Sequence, residues 1–245
     1  MSRFVALPTI TDDSALGGST IERSLRFNGS DTYIQRTSSG GNRRTWTVSF
    51  WAKFCDSSAT TNQRFWSCDG NSGNYDMLKI EFYGGTDSSR QIAIIDQGHA
   101  GSGIRFTLKR KFRDSSAWYH FVFAQDSTQS TASERMKIYV NGVRETEFLD
   151  NSTHNHPPVQ DYQGNVNATG KTNTWGRSFS FGSGTGDYLD GYLANINFID
   201  GAQLDPSYFG YTEFQTKAWR PKKFDKSDIP NSPTTTYSNT FTASG

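Results

Sequence analysis

Acidic side chains in two strand-like segments are the first candidates for catalytic residues. Glycoside hydrolysis divides the acid and nucleophile roles between two carboxylates that face one cleft. The segment Lys79-Ile-Glu81 supplies one carboxylate, and Glu145-Thr-Glu147 supplies two directly after a predicted hairpin. Acidic residues on strands are usually solvated surface groups. We therefore interpret these carboxylates as solvated strand faces and expect no glycosidase and no other enzyme.

The histidines offer a second kind of chemistry, as metal ligands or as a general base. His154 and His156 flank one asparagine, but zinc takes three or four ligands and no cysteine lies nearby in the sequence. His120 alternates within a predicted strand, which favours a packed or surface residue over a base. No Ser/His/Asp order, phosphate-binding loop or Cys/His pair stands out. The sequence predicts no catalytic group and no metal site among these residues.

Composition and charge exclude several classes of partner. The 245 residues carry Lys+Arg 25 against Asp+Glu 24, so the chain lacks the basic surface of a nucleic-acid-binding protein. Aromatic residues make up 14% of the chain, which excludes disorder and predicts a core of large rings. No run approaches the ~18 apolar residues that span a bilayer, and the N-terminus has no signal-peptide pattern. We expect no membrane partner, synthesis in a cytoplasm, and free thiols at Cys55 and Cys68.

Alternating patterns predict an all-β fold of antiparallel strands. Residues 45–54 alternate apolar and polar side chains, which marks a strand with one face on a core. Residues 136–140 alternate in the same way before Asn141-Gly142, a pair that favours a type I′ hairpin turn. Turn residues at short intervals favour an antiparallel sandwich or barrel over βαβ units. Further strands are predicted at 24–28, 32–36, 77–83, 91–96, 104–108, 118–125 and 192–199.

The two ends of the chain carry no periodic pattern. We expect residues 1–22 to form an extended N-terminal arm, and residues 221–245 an extended C-terminal tail that needs a partner for order. Between them lies the predicted sandwich, residues 23–220, with one short helix that begins after Asp205 and stops at Gly210. The arm's apolar residues are the expected assembly contacts: Phe4, Val5, Leu7 and Ile10.

Several segments, in order, resemble the laminin-G-like domains of the concanavalin A-like jelly-roll family. They are Ser24-Leu-Arg-Phe-Asn-Gly, Thr45-Trp-Thr-Val-Ser-Phe-Trp-Ala-Lys, Trp118-Tyr-His-Phe-Val-Phe with Met136-Lys-Ile-Tyr-Val-Asn-Gly-Val, and Tyr188-Leu-Asp-Gly-Tyr-Leu-Ala-Asn-Ile. The resemblance implies a β-sandwich of jelly-roll type over roughly residues 24–201. Glucanases of this family carry Glu-x-Asp-x-Glu on one strand, and the sequence has no such run.

The resemblance also suggests two kinds of ligand. Relatives often hold Ca²⁺ at the rim of the sandwich, and Asp31, Asp187 and Asp190 are the residues that could do so here. Aspartate beside glycine is also what turns select, so we interpret them as turn residues and expect no cofactor, with calcium as the alternative. Lectin sites use loop Asp and Asn for sugar hydroxyls and a ring for the sugar's apolar face. The candidate glycan-binding residues are Trp66, Asp69, Asn71, Asn74 and Tyr75 of one loop and Trp175 of another, with a core position for Trp66 as the alternative.

Two further segments, Arg113-Asp-Ser-Ser-Ala-Trp-Tyr-His and Phe198-Ile-Asp-Gly-Ala-Gln-Leu-Asp-Pro-Ser-Tyr-Phe-Gly, resemble the form of this domain found in structural proteins of marine tailed phages, cyanophages among them. The resemblance implies a non-enzymatic virion protein, either a capsid decoration protein or a tail-fibre or adhesin component. Its partners would be other virion proteins and copies of itself, with a trimer as one option. The alternative is a lectin-like adhesin module that binds host surface glycan, because this fold carries enzymes, lectins and structural modules alike.

Overall fold

The computed structural model describes residues 18–55, 62–68, 78–83, 90–96, 103–149, 155–178, 187–229, 236–238 and 242–244. Two large antiparallel sheets pack face to face, which confirms the predicted all-β jelly-roll sandwich. No helix in these ranges is long and apolar enough to cross a membrane. The strands are β1 (Leu25–Asn28), β2 (Tyr33–Thr37), β3 (Thr45–Phe54), β4 (Gln63–Cys68), β5 (Leu78–Tyr83), β6 (Gln91–Asp96), β7 (Ile104–Thr107), β8 (Tyr119–Asp126), β9 (Met136–Val140), β10 (Val143–Arg144), β11 (Asn155–His156), β12 (Thr172–Trp175), β13 (Asp190–Asp200), β14 (Gly210–Thr212), β15 (Trp219–Pro221), β16 (Thr236–Ser238) and β17 (Thr242–Ser244).

The first sheet has the order β1-β13-β3-β8-β9-β10, with β16 also beside β13. Strand β3 is its centre, paired with β8 on one side and with β13 on the other. The β9–β10 hairpin turns at Asn141 and Gly142, whose φ angles of 49° and 80° are those of the predicted type I′ turn.

The second sheet has the order β11-β7-β6-β5-β4-β12-β2-β17. Its register places a row of apolar side chains across six strands on the face that turns to the core. This apolar row consists of Phe106, Ile94, Ile80, Trp66, Trp175 and Ile34, all of them buried.

Large rings fill the space between the sheets, as the composition predicted. Phe50 of β3 lies at the centre, with its ring centroid 5.7 Å from that of Phe65 and 5.2 Å from that of Trp175. Trp66 and Trp175 stack with their centroids 5.8 Å apart. Edge-to-face and offset contacts of this kind add to the burial of apolar area, so a few residues supply most of the core.

The outer face of the first sheet is covered by residues 201–229, called here the strap. The strap carries the predicted short helix as a 3-10 turn, Pro206–Tyr208, capped by the Asp205 carboxylate, which accepts from the Ser207 N–H at 2.8 Å. Thr47 of β3 anchors it, because its hydroxyl donates to the Ala202 carbonyl at 2.7 Å. Both faces of β3 are therefore buried, and the prediction of one buried face was wrong.

The chain ends pack on their own domain wherever the structure describes them. Ile229, the last residue of the strap, is buried against the first sheet, and Phe224 packs in the same cluster. Strand β16 pairs with β13 and β17 with β2, while Gly18 forms a bridge with Lys222. Residues 221–229 thus complete the strap, and the described strands of the tail pair within the chain. The domain boundary at residue 220 stays a prediction. The predicted assembly contacts Phe4, Val5, Leu7 and Ile10 lie outside the described residues and stay a prediction.

Candidate functional site

A cleft of about 400 Å³ opens on the outer face of the first sheet, beside the strap. It forms where residues 21–24 pass next to the β3–β8 region and the β15 end of the strap. Tryptophan side chains from β3, from the start of β8 and from β15 supply its apolar wall. The lining residues of this tryptophan cleft are Ile21, Glu22, Arg23, Ser24, Trp51, Trp118, Ala194, Trp219, Arg220 and Pro221.

Trp219 is held in the cleft wall by two glycines and a histidine. A Cβ atom at Gly142 or at Gly210 would collide with the Trp219 ring, so only glycine allows the indole to lie this close to the backbone. The opposite contact is His120, whose ring stacks with the indole at a centroid distance of 5.9 Å. The Trp219 Nε1–H donates to His120 Nδ1 at 3.0 Å, which fixes the indole's rotation as well.

His120 is a neutral packing residue. Because Nδ1 accepts from Trp219, the ring proton sits on Nε2 and donates to the Ser49 hydroxyl at 2.9 Å. Burial lowers the pKa of His120 to about 3. Both ring nitrogens are occupied and Ser49 is completely buried. The Ser49–His120 contact is therefore enclosed, and His120 takes the packed one of the two positions, packed or surface, that were predicted for it.

The other two tryptophans of the cleft differ in how much of the ring is exposed. Trp118 keeps 37% of its surface exposed, whereas Trp51 keeps only 6%. The buried Trp51 Nε1–H has no hydrogen-bond partner among the described residues. The donor is enclosed by the protein, so the exposed Trp118 ring is the tryptophan surface that a ligand in the cleft can reach.

The structure corrects the predicted glycan-binding tryptophans. Trp66 and Trp175 are each 1% exposed and belong to the apolar row of the core. The cavity that they line together has a volume of about 20 Å³, too small for a sugar ring. Stacking on a sugar requires an open ring face, so these two residues cannot form the site. Asp69, Asn71, Asn74 and Tyr75 lie outside the described residues.

The aspartates considered for calcium are engaged by other side chains. Asp187 forms an ion pair with Arg64 at 2.9 Å, and Asp190 one with Arg26 at 2.6 Å. Asp31 accepts a hydrogen bond from the Asn28 amide at 2.6 Å. Within the described ranges, no three His, Cys, Asp or Glu side chains gather as a metal site would require.

Of the carboxylates predicted as solvated, Glu81 is in fact buried and Glu145 is partly buried. Glu81 is completely buried and forms an ion pair with Arg64. Glu145 has a 9%-exposed side chain 3.0 Å from Arg110, and burial raises its pKa. Glu147, with a 75%-exposed side chain, is solvated as predicted. The arginine partners explain why acidic residues on these strands can turn away from water.

The cysteines are free, as the sequence predicted. Cys55 is exposed and Cys68 is buried in the core, and neither forms a disulfide.

His156, the member of the predicted histidine pair that the structure describes, contacts the Gly103 carbonyl through Nδ1 at 3.0 Å. His154 lies outside the described residues.

The stacked sheets and the strap define a jelly-roll β-sandwich module. A family model described as the Concanavalin A-like lectin/glucanases superfamily matches residues 28–205, well over half of the chain. The chain therefore belongs to that superfamily, as the resemblance implied. A search of curated proteins finds no match.

Solved structures with the same fold come from proteins of different kinds. Tailspike protein 2 of an Escherichia coli O157:H7 bacteriophage is 14% identical with a TM-score of 0.53, over 80% of this chain and 24% of the tailspike. A pentraxin from Limulus polyphemus is 17% identical with a TM-score of 0.46, over 71% of this chain and 74% of that one. Domain 4 of a Geobacillus stearothermophilus arabinanase, solved with arabinotriose, is 14% identical with a TM-score of 0.49. The match covers 76% of this chain and 75% of that one. At 14% identity the likeness to the tailspike shows a shared fold and nothing more.

Sequence reasoning did not point to the tryptophan cleft. Trp118 and Trp219 lie far apart in the chain and meet only because the strap folds back over the first sheet. A feature of the sequence that could have indicated the cleft is Trp51. This large ring lies at a position where the alternating pattern of its strand has polar residues. A large ring on the outer face of a sheet must be shielded from water by another segment, and here the strap shields it.

Proposed function

We propose that this chain is a non-catalytic module that binds carbohydrate in the tryptophan cleft. The cleft is the observation that carries this proposal. Its volume of about 400 Å³ suits a mono- or disaccharide. The exposed Trp118 ring offers a flat surface for the apolar face of a sugar. Arg23 and Arg220 at the lining add further donors.

The same cleft argues for binding rather than hydrolysis. Retaining and inverting glycosidases both need a pair of carboxylates on either side of the bond that is cleaved. Among the described lining residues Glu22 is the single carboxylate. Among the described residues a sugar held here would meet one acid and no second carboxylate, which supports recognition without cleavage.

A glycan array compares the wild-type protein with two variants. Trp118→Ala removes the exposed ring, and we expect it to abolish the wild-type signal. Phe214→Ala removes a ring that is 81% exposed and is not among the lining residues, and we expect it to bind as the wild type does. Equal signals from both variants, or an empty array for the wild type, would contradict the proposal.

We further propose that the module is part of a phage particle, where it is displayed on the surface. The resemblance of residues 113–120 and 198–210 to phage structural proteins supports this location. The tailspike with the same fold supports it at the level of fold alone. Gold-labelled antibody on purified particles distinguishes the alternatives: label over the head indicates a decoration protein, and label at the tail indicates an adhesin. Particles without label, intact or disrupted, would contradict the location.

The N-terminal arm is proposed to attach the module to its neighbours in the particle. The residues that would do so, Phe4, Val5, Leu7 and Ile10, are apolar in a segment with no core of its own. A variant that lacks residues 1–17 keeps the Gly18 bridge and residues 21–24 of the cleft. We expect it to fold and to bind glycan but to be absent from particles. Normal incorporation would refute the role of the arm.

A further inference from the structure

The N-terminal arm joins the domain at the rim of the tryptophan cleft. Gly18, the first described residue, forms a bridge with Lys222 of the strap. The neighbour of Lys222 in the chain, Pro221, lines the cleft, and so do residues 21–24, which follow soon after Gly18. Residues 1–17 of the arm, which lie outside the described residues, are therefore attached directly beside the cleft.

The cleft has apolar surface that the described residues leave uncovered. Trp118 keeps 37% of its surface exposed, and Ile21 and Trp219 are half-buried. All three line the volume of about 400 Å³. Exposed apolar surface in a concave site marks a place where another group binds. An apolar segment of chain would remove this surface from water.

The arm supplies apolar side chains that lie close together in the sequence. They are Phe4, Val5, Leu7 and Ile10, and Pro8 lies among them. So short a segment has no core of its own, so its apolar side chains can be buried only against another surface. Proline beside apolar residues suits a wall of aromatic rings, because its ring packs on an indole and its backbone is already restricted. The composition of the arm thus matches the tryptophan cleft.

The arm is long enough to return to the cleft of its own chain. Ile10 precedes Gly18 by eight residues, which span up to about 26 Å when they are extended. The wall at residues 21–24 begins three residues after Gly18. The antiparallel bridge directs the chain before Gly18 away from that wall, so docking requires a reversal of the chain. Residues that favour turns, Asp12-Asp13-Ser14 and Gly17, are available for it.

The charges of the arm complement those at the rim of the cleft. Glu22 and Arg23 are exposed lining residues and form no ion pair with any described residue. The arm carries Arg3 on one side of its apolar residues and Asp12 with Asp13 on the other. A docked arm can therefore present a cation to Glu22 and a carboxylate to Arg23. Exposed ion pairs add little affinity, but they favour one orientation of the segment.

We propose that residues 4–10 of the arm cover the tryptophan cleft of their own chain when the protein is free. The inference rests on the proposed function in one respect, since a sugar in the cleft would compete with the arm. Attachment of the arm to a neighbour in the particle would then open the cleft. The wild-type signal on a glycan array would come from molecules whose cleft is open. The arm thus selects between a covered and an open state of the cleft.

Tryptophan fluorescence reports the state of the cleft. Four of the six tryptophans are at most 6% exposed. Iodide quenches accessible rings, so its effect on the native protein comes from the other two, Trp118 and Trp219, which line the cleft. We compare the wild type with a full-length variant that carries Leu7→Ser and Ile10→Ser. Each lost apolar contact should shift the equilibrium about tenfold toward the open cleft, so iodide should quench a larger fraction of the fluorescence.

A matched control replaces an aliphatic residue elsewhere on the surface. Val159→Ser changes a 44%-exposed valine that is not among the lining residues, and iodide should quench this variant as it does the wild type. Circular dichroism checks that each variant is folded.

Photo-crosslinking identifies where the arm lies. Benzoylphenylalanine in place of Phe4 should, on illumination of the full-length protein at low concentration, form a bond to residues 21–24, Trp118 or residues 219–221. The expected product has the mass of a monomer, and mass spectrometry of its digest locates the bond.

Three results would overturn the proposal: unchanged quenching in the folded Leu7→Ser and Ile10→Ser variant, crosslinks that map to other surfaces, or crosslinked products found only as dimers, which would assign the arm to a second copy. Neither measurement uses a sugar. An empty glycan array would therefore count against the proposed function alone, and a failure here remains distinguishable from it.

Discussion

Moderate acid is expected to destabilise the protein through His120. In the folded state its Nδ1 accepts from Trp219, and burial holds its pKa at about 3. The unfolded chain takes up this proton near pH 6.5, the ordinary value for histidine. Between these two values the unfolded state binds one proton more than the folded state. Stability contributed by the neutral ring is therefore present above pH 6.5 and decreases as the pH falls towards 3.

The expected size of the effect follows from the width of this window. Each pH unit below 6.5 costs about 1.4 kcal/mol of unfolding free energy while His120 stays neutral in the folded state. Lowering the pH to 4.5 should therefore cost roughly 2–3 kcal/mol through this one residue. A domain stabilised by about 5–15 kcal/mol would lose a substantial part of its stability.

Urea unfolding at pH 7.5 and pH 4.5 measures this contribution when the wild type is compared with His120→Gln. The glutamine can still donate to Ser49 but does not titrate, and the carboxylates are the same in both proteins. Subtraction of the two pH dependences thus isolates the histidine. We expect the wild type to lose roughly 2–3 kcal/mol more than the variant. Identical losses in both proteins would refute the assignment of a buried neutral ring under the strap.

The remaining predictions concern the packing of the strap and the two thiols. Gly142→Ala should lower the unfolding free energy by about 2 kcal/mol or more, because its Cβ would collide with Trp219 and its φ is +80°. Gly170→Ala, at a similar φ of +77° with open space around it, should cost only about 1 kcal/mol, and equal losses in thermal melts would contradict the strap packing. Cys55 should react with a thiol reagent in the native protein and Cys68 only after unfolding, since the first is exposed and the second buried. Two equally fast thiols would be inconsistent with the core position of Cys68.

The sequence predicted the sandwich well because its strands carry local signals. The alternation in β3 and β9 and the Asn141-Gly142 turn depend on near neighbours, and the structure has them where expected. Strand β4 was missed, since its side chains are buried on both faces and show no period of two. Arg64 is the reason: it is a charged residue that is buried by pairing with carboxylates that come later in the chain.

The candidate sites could not be predicted, because they depend on contacts between distant segments. Its neighbours in sequence predicted that Trp175 lies in a loop. In the structure it belongs to β12, which lies between β2 and β4, and its side chain is buried in the core. Trp118 becomes part of a cleft only when Trp219 is brought across the sheet by the strap. Local sequence patterns are enough to predict strands. A binding site depends in addition on which strands pair, and that information is not local.

The order of the strands also determines when the domain can fold during synthesis. Strand β1 pairs with β13, which places Arg26 against Gly191 at a separation of 165 residues, and β2 pairs with β12 at a separation of 135 residues. At translation rates of ~5–20 residues per second, these first strands wait on the order of ten seconds for their partners. Contacts of such long range also make folding slow once the chain is complete. The early strands β1 to β3, rich in apolar rings, are thus exposed during synthesis, and chaperone binding to nascent chains should concentrate on them.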